Sequence, residues 1–244
     1  MRISIPRIML GSRIIAALAA ATLLLGLLPT QNTHATTACQ GSSHQFDGSY
    51  YPASEYGAGA SISAAVGGLC GQTWSQASDW VMLGRSGSNT YYAQSGIGHF
   101  YSKSPEYFAE YDDNYPNNAY VFQAAGNADA NTHTFLEVYN FSGSITMFKD
   151  STAILTTPFD PLIDWGTMVP SFLGETGDAG DDMPGSSFIP ATFSAPSGSG
   201  FTGMSIITSR TSGWVATNAL TPVNTYPTRY ANSVGTSSQS IWTK

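Results

Sequence analysis

The residues with the clearest chemical potential in this sequence are polar side chains set among aromatic ones. They occur in four stretches: Asp79-Trp80-Val81, Ala93-Gln94-Ser95-Gly96, Tyr107-Phe108-Ala109-Glu110-Tyr111 and Phe172-Leu173-Gly174-Glu175. The hydrolase signatures Gly-x-Ser-x-Gly and His-Glu-x-x-His are absent from the sequence, and so is the Walker loop. His44, His99 and His133 lie far apart and outside any motif, which disfavours a Ser-His-Asp triad but leaves it open, because triads assemble in space.

Alternation along the segment after Thr90 sorts several of these side chains onto one face. That face carries Tyr92, Gln94, Gly96, Gly98 and Phe100. On the next segment, Phe108 and Glu110 also share a face. Glycine inside a strand often marks the close approach of another group. The mixture of rings, a carboxamide and glycines therefore predicts a concave face that binds a ligand.

The order and spacing of these stretches resemble the glutamic peptidases. In the eqolisin type, a Trp-Val strand precedes a Gln-Thr-Gly strand and then an aromatic-x-Glu strand, as Trp80, Gln94 and Glu110 do here. Phe172-Leu173-Gly174-Glu175, followed by Asp182-Met183-Pro184-Gly185 and Phe188, is similar to the Gly-Gly-Glu and Met-Gly-x-Gly region of the neprosin-like type. The resemblance covers residues 78–193 and implies a concanavalin-like β-sandwich.

The resemblance also implies roles for single residues. Gln94 and Glu175 would be the catalytic pair. Trp80, Tyr92, Phe108 and Glu110 would bind substrate or support the pair. Phe108 stands where eqolisins usually have tryptophan, and Ser171-Phe172 replaces their Glu-Trp. Both an active enzyme and a divergent or inactive relative are compatible with these departures.

A carboxyl and a carboxamide suit peptide hydrolysis. The reaction needs a base for the attacking water, an acid for the leaving nitrogen and a donor for the oxyanion. One carboxyl group can act first as base and then as acid, while a carboxamide N–H stabilises the oxyanion. The pair would face across one groove, act in mildly acid conditions on a polypeptide substrate, and require neither a metal nor another cofactor.

A non-catalytic protein that binds polysaccharide is the alternative. Aromatic residues make up 12% of the chain, and Tyr50-Tyr51 and Tyr91-Tyr92 are tyrosine pairs that a concave face could use as sugar platforms. In this reading the partner is a glycan, and binding survives the loss of Glu175.

The pattern of short alternating segments from Trp74 onward predicts strands, and no segment has a sustained helical period. The predicted strands cover 79–83, 90–100, 106–111, 119–124, 132–141, 144–149, 171–175, 188–193, 203–209 and 212–217. Ser142-Gly143 predicts a two-residue hairpin loop. Glu137, between Leu136 and Val138, is expected to face outward. The result is one all-β domain over residues 74–244, an antiparallel sandwich or jelly roll.

Residues 36–73 are rich in Gly, Ser and Ala and are expected to wrap the surface. Cys39 and Cys70 are the only cysteines, and in an oxidising compartment they predict one disulfide that tethers this segment; two free thiols are the alternative. The acidic run Asp178, Asp181 and Asp182 is expected to be a solvated turn, with a calcium loop as the alternative.

The first 35 residues have the pattern of a secretory signal peptide. Arg2, Arg7 and Arg13 precede an apolar run from Ile14 to Leu28, and small residues follow to Ala35. The run is shorter than the ~20 residues of a membrane span, which disfavours a membrane anchor; a lipoprotein cysteine at Cys39 is the other alternative. We therefore expect a secreted, extracellular protein without stable membrane association, and a monomer.

Charge disfavours nucleic acid as a partner. The sequence has nine basic and sixteen acidic residues, and three of the basic ones belong to the predicted signal peptide. The remaining chain has a net charge of −10, which repels phosphate backbones.

Overall fold

The computed structural model describes most of the chain after the predicted signal peptide. The described residues are 38–63, 67–88, 90–114, 120–129, 131–140, 142–183, 199–207, 214–217, 219–236 and 238–244. The signal peptide, the predicted strand 188–193 and the matched residues Pro184, Gly185 and Phe188 lie outside them. No helix among the described residues is long and apolar enough to cross a membrane.

Two antiparallel sheets make up the described chain. Across the first sheet the strands are β13 (Thr221–Asn224), β1 (Ser42–Tyr50), β10 (Val169–Asp178), β3 (Gln76–Gly84), β4 (Tyr91–Phe100), β5 (Glu106–Asp113) and β6 (Tyr120–Asn127). Across the second they are β14 (Tyr230–Val234), β15 (Gln239–Thr243), β11 (Ser199–Ile207), β2 (Gly57–Ser63), β7 (His133–Asn140), β8 (Ser144–Lys149) and β9 (Thr152–Thr156), and β12 (Val215–Ala216) pairs with β11. One helical turn, α1, spans Pro161–Asp164. The predicted all-β antiparallel sandwich is confirmed.

The first sheet has apolar side chains on both faces, and the site lies on the face that does not pack against the second sheet. One face packs against the second sheet, where Val81, Leu83 and Ala93 meet residues such as Phe135 and Met147. The opposite face carries a second cluster. Its members are Trp80, Phe108 and Leu173, with Phe46, Met82, Phe100, Phe122 and Val223 packed against them. Because side chains alternate along a strand, the even-numbered residues of β3 and β4 line this second face.

The segment 36–73 does not wrap the surface as predicted. It contributes β1, which lies between β13 and β10, and β2, which lies between β11 and β7. The outer face of β2 is closely covered by its neighbour, since a Cβ atom at Gly59 would lie 2.6 Å from the Leu136 side chain. The predicted disulfide between Cys39 and Cys70 is confirmed.

The acidic run after β10 is buried, so the expectation of a solvated turn was wrong. Asp178 accepts hydrogen bonds from the backbone N–H groups of Gln40, Gly41 and Gly180 and from the indole of Trp74. Asp181 accepts from the N–H groups of Cys70 and Gln76, and Asp182 pairs with Arg229 at 2.7 Å. The carboxylates bind donors from residues 40–76, from Gly180 and from Arg229. They do not converge on one point as the ligands of a calcium loop do.

Two local predictions need correction. Asn140 pairs with Ser144, so three residues and not two separate β7 from β8, with Gly143 at a φ of 93°. Glu137 faces the core and is fully buried, where it accepts a hydrogen bond of 2.5 Å from the Ser95 hydroxyl of β4. The apolar neighbours Leu136 and Val138 occupy the opposite face of β7 and are half-buried.

Burial of carboxyl groups makes the stability of the folded state depend on pH, with greater stability in acid. Burial raises the pKa of Glu137 well above its ordinary value. Burial also raises the pKa of Asp47 to about 7, against the hydrogen bond from Asn232. A carboxyl that keeps its proton in the folded state and loses it in the unfolded chain makes folding less favourable as the pH rises.

We therefore predict that Glu137→Gln weakens the pH dependence of stability. Above the ordinary glutamate pKa, one such group lowers the free energy of unfolding as the pH rises, by at most about 1.4 kcal/mol per pH unit. The slope should therefore be smaller in the variant, measured by urea denaturation at each pH. Glu106→Gln, which removes a carboxylate paired with Lys103, is the control and should keep the original slope. An unchanged slope in Glu137→Gln contradicts the prediction.

Candidate functional site

An open groove of about 800 Å³ runs over the second apolar face of the first sheet. Its floor comes from β3, β4 and β5, and its sides come from β1, β6, β10 and β13. All six predicted site residues line it: Trp80, Tyr92, Gln94, Phe108, Glu110 and Glu175. The alternation that places odd-numbered residues of β3 and β4 in the core brings the even-numbered ones together here.

Glu175 is held by two strands besides its own. It lies on β10 opposite Ser78 of β3 and is 8% exposed. Its Oε2 accepts a hydrogen bond of 3.0 Å from the indole N–H of Trp80, and its Oε1 lies 2.5 Å from Nδ1 of His44 on β1. Both carboxylate oxygens are therefore fixed in position at the surface of the groove.

Gln94 is oriented by Glu110. The two residues are directly opposite each other on β4 and β5, and Gln94 Nε2 donates to Glu110 Oε1 at 2.6 Å. An ionised Glu110 only accepts hydrogen bonds, so the donor end of the amide faces it. An amide nitrogen carries two N–H groups, so Nε2 has a second one to offer.

Glu110 is a buried carboxyl with further donors around it. The hydroxyl of Tyr120 donates to its Oε2 at 2.7 Å, and that of Tyr92 lies 3.4 Å from its Oε1. Burial raises the pKa of Glu110 to about 7, and the charge of Glu175 raises it as well, against the lowering effect of the Tyr120 hydrogen bond. The two carboxyl groups therefore interact across the groove.

Gln94 and Glu175 share the groove without touching. Their strands lie on either side of β3, where Gln94 is opposite Met82 and Glu175 is opposite Ser78. The backbones are thus offset by roughly 13 Å along the strands and about 10 Å across them. Trp80 lies midway on β3, between Leu173 and Gly96. Trp80, Gln94 and Glu175 all line the same groove, with Trp80 between the strand of the carboxylate and the strand of the amide.

Three phenylalanines form the apolar side of the groove. Phe108 stacks on Phe122 at 5.7 Å, Phe100 meets Phe122 edge-on at 5.5 Å, and Lys103 Nζ lies 5.3 Å from the centre of the Phe122 ring. The ring of Phe100 covers Gly98, where a Cβ atom would lie 2.6 Å from it. A side chain at Gly98 would therefore require the Phe100 ring to move.

Two solved peptidases have a similar fold. Scytalido-glutamic peptidase with a peptide-based transition-state analogue superposes with a TM-score of 0.54 at 12% identity, covering 84% of this chain and 100% of that one. SCP-B, a member of the eqolisin family in complex with the tripeptide Ala-Ile-His, gives a TM-score of 0.53 at 12% identity with the same coverage. This chain has a glutamic peptidase fold. No protein-family model and no curated protein matches the sequence.

Two residues of this glutamic peptidase fold were missed in the sequence. His44 lies in a segment interpreted as a surface tether, although His44 and Phe46 alternate as groove residues of a strand should. Tyr120 begins β6 and is 46% exposed as a whole residue, while its hydroxyl reaches Glu110. Tyr120 and Phe122 are two residues apart, and this spacing could have placed Tyr120 on the groove face of β6.

We predict that Tyr120→Phe raises the pKa of Glu110 above about 7, because it removes the hydrogen bond that lowers this pKa most. Carbon-13 NMR titration of glutamate carboxyls measures the shift, and Glu110→Gln assigns the signal. Tyr101 is also an exposed tyrosine, with 40% of its surface accessible. Tyr101→Phe is therefore the matched control and should leave the Glu110 titration unchanged. A Glu110 pKa that stays the same or falls in Tyr120→Phe refutes the assigned contact.

Proposed function

We propose that the chain is a secreted, metal-independent acid endopeptidase of the glutamic type. The observation that supports this most is the pairing of a fixed carboxylate with an oriented amide in one groove. Glu175 is bound at both oxygens, and the Nε2 end of Gln94 is selected by Glu110. The glutamic peptidase fold supports the same conclusion, because its solved examples carry a peptide-based inhibitor or a tripeptide.

The proposed reaction begins with Glu175 as a general base. The Glu175 carboxylate takes a proton from water, whose oxygen forms a bond to the carbonyl carbon of the substrate peptide. The carbonyl π electrons move to its oxygen, and a Gln94 N–H donates a hydrogen bond to the resulting oxyanion. The oxyanion then collapses, the C–N bond breaks, and Glu175 gives its proton to the leaving nitrogen. The products are a carboxylic acid and an amine, and Glu175 is again a carboxylate.

Glu110 supports this cycle best when it is neutral. With a pKa of about 7, it carries a proton in acid and can still accept the Gln94 hydrogen bond at its other oxygen. A neutral Glu110 adds no negative charge beside the base Glu175. As the pH rises through 7, Glu110 ionises and places a second negative charge near the developing oxyanion. Activity should therefore be greatest in mildly acid solution and fall toward neutrality.

The aromatic residues of the groove floor are too buried to act as sugar platforms. A sugar platform needs an open ring face, but Trp80 is 3% exposed and Phe108 is 1% exposed. Tyr91, one of the tyrosines that suggested a glycan, packs against the core and under the Arg85 guanidinium. A groove with apolar walls and a polar centre suits an extended chain with side chains on both sides.

We predict that the protein without residues 1–35 cleaves an unfolded protein at about pH 4, and that the activity persists in EDTA. Glu175→Gln should lose about 10³-fold in kcat/KM, because it removes the base and acid. Gln94→Ala should lose about 10²-fold, because it removes an oxyanion donor. Mass spectrometry of the fragments measures both.

Gln123→Ala is the matched control, since this glutamine is an exposed residue of β6 that bonds to the backbone of Ala124. It should keep full activity. Equal rates in wild type, Glu175→Gln and Gln94→Ala would show that the assignment is wrong. Absence of cleavage by wild type, with glycan binding that survives Glu175→Gln, would favour the polysaccharide alternative instead.

A further inference from the structure

His44 is a histidine at the edge of the groove that the proposed cycle does not use. It belongs to β1 and comes from the segment expected to tether the surface, and its Nδ1 lies 2.5 Å from Glu175 Oε1. Its side chain is 54% exposed, whereas that of Glu175 is 11% exposed. The imidazole also stacks near Phe46, with the ring centres 6.5 Å apart. It therefore covers the solvent side of the carboxylate.

The contact between His44 and Glu175 differs in charge from the other contacts around Glu175. Trp80 of β3 supplies a neutral N–H to the other oxygen, and Glu110 of β5, whose pKa burial raises to about 7, adds negative charge across the groove only as the pH rises toward neutrality. Lys103 also lines the groove, but its Nζ bonds Glu106 at 3.3 Å and lies over Phe122. Among the described groove residues, His44 is therefore the cation-forming group in contact with Glu175.

We propose that His44 is a positioning residue that, as an imidazolium, holds Glu175 ionised and aimed into the groove and so extends activity to lower pH. The proposal rests on the proposed peptidase function.

Two properties support it. The hydrogen bond to Glu175 raises the pKa of His44, and the charges of Glu175 and Glu110 act in the same direction, against burial. The imidazolium thus persists through the acid range and beyond the ordinary value of 6.5. A cation beside a carboxylate favours its ionised form.

The first experiment measures the pH profile of kcat/KM for wild type, His44→Phe and His44→Gln. Without the cation, the acid limb should move to higher pH by about one unit in both variants, because the contact is half-exposed and partly screened. Glutamine can still donate a hydrogen bond, so His44→Gln should regain more of the plateau rate than His44→Phe without restoring the limb. KM should change little, because His44 acts through Glu175.

His133→Gln provides the matched control. His133 is also bound to carboxylates, those of Asp129 and Asp150, but it lies on β7 of the second sheet. Its loss should leave the acid limb in place even if the variant is less stable. A lower plateau with an unmoved limb in both His44 variants would mean a merely structural role and would overturn the proposal.

The second experiment does not depend on cleavage. Proton NMR titration of the histidine rings should show the pKa of His44 falling in Glu175→Gln and staying unchanged in Gln123→Ala. An unchanged His44 titration in Glu175→Gln overturns the proposal whatever the activity. A wild type that cleaves nothing, with a His44 titration that still depends on Glu175, refutes the proposed function and with it the catalytic role of His44. An active enzyme with an unmoved acid limb refutes the role of His44 alone.

Discussion

The hydrogen bond between the Trp80 indole and Glu175 is the contact on which the groove is organised. Trp80 lies on β3, between the strand that carries Glu175 and the strand that carries Gln94. Its ring is almost fully buried in the apolar cluster of the groove floor, while its one N–H is directed at the carboxylate. A side chain that is apolar on its body and polar at one atom can thus both pack the floor and hold the Glu175 carboxylate above it.

This arrangement requires a sheet with two apolar faces. The residues that alternate with Trp80 and Gln94, such as Val81 and Ala93, fill the sandwich core. Ser95 is the neighbour of Gln94 and reaches into that core to meet the buried Glu137. Protonation of carboxyl groups therefore matters on both faces of β4. On the core face it affects the packing of Glu137, and on the groove face it affects the charge balance of Glu110 and Glu175. A single variable, the pH, acts on scaffold and site in the same direction.

The sequence predicted those parts of the structure that follow from local periodicity. The strands around Gln94 and Glu110 alternate clearly, so their shared face could be inferred from residue spacing alone, and the resemblance added Glu175. By contrast, β1 and β2 consist mainly of small and polar residues, and their position inside the sheets depends on partners more than 70 residues away. No local pattern reports such pairing, and His44 was missed for this reason.

Glu137 was misplaced for a related cause. Its neighbours Leu136 and Val138 have the composition of core residues, so alternation alone puts the carboxyl outside. The actual face is decided by the opposite sheet, where Ser95 provides a donor that a hydrophobic pattern cannot reveal. The buried acids after β10 were likewise judged by composition, whereas their neighbours are N–H groups brought in by the disulfide-linked segment.

The position of β1 has a consequence for how the protein matures. This strand supplies His44, yet it pairs with β10 on one side and on the other with β13, where Asp47 is opposite Asn224 near the far end of the chain. Contacts over such long sequence separations form slowly, because the loop entropy is lost before the pairing is gained. A growing chain therefore cannot finish the groove until β13, up to Asn224, has been synthesised. The order of synthesis itself delays the assembly of the site.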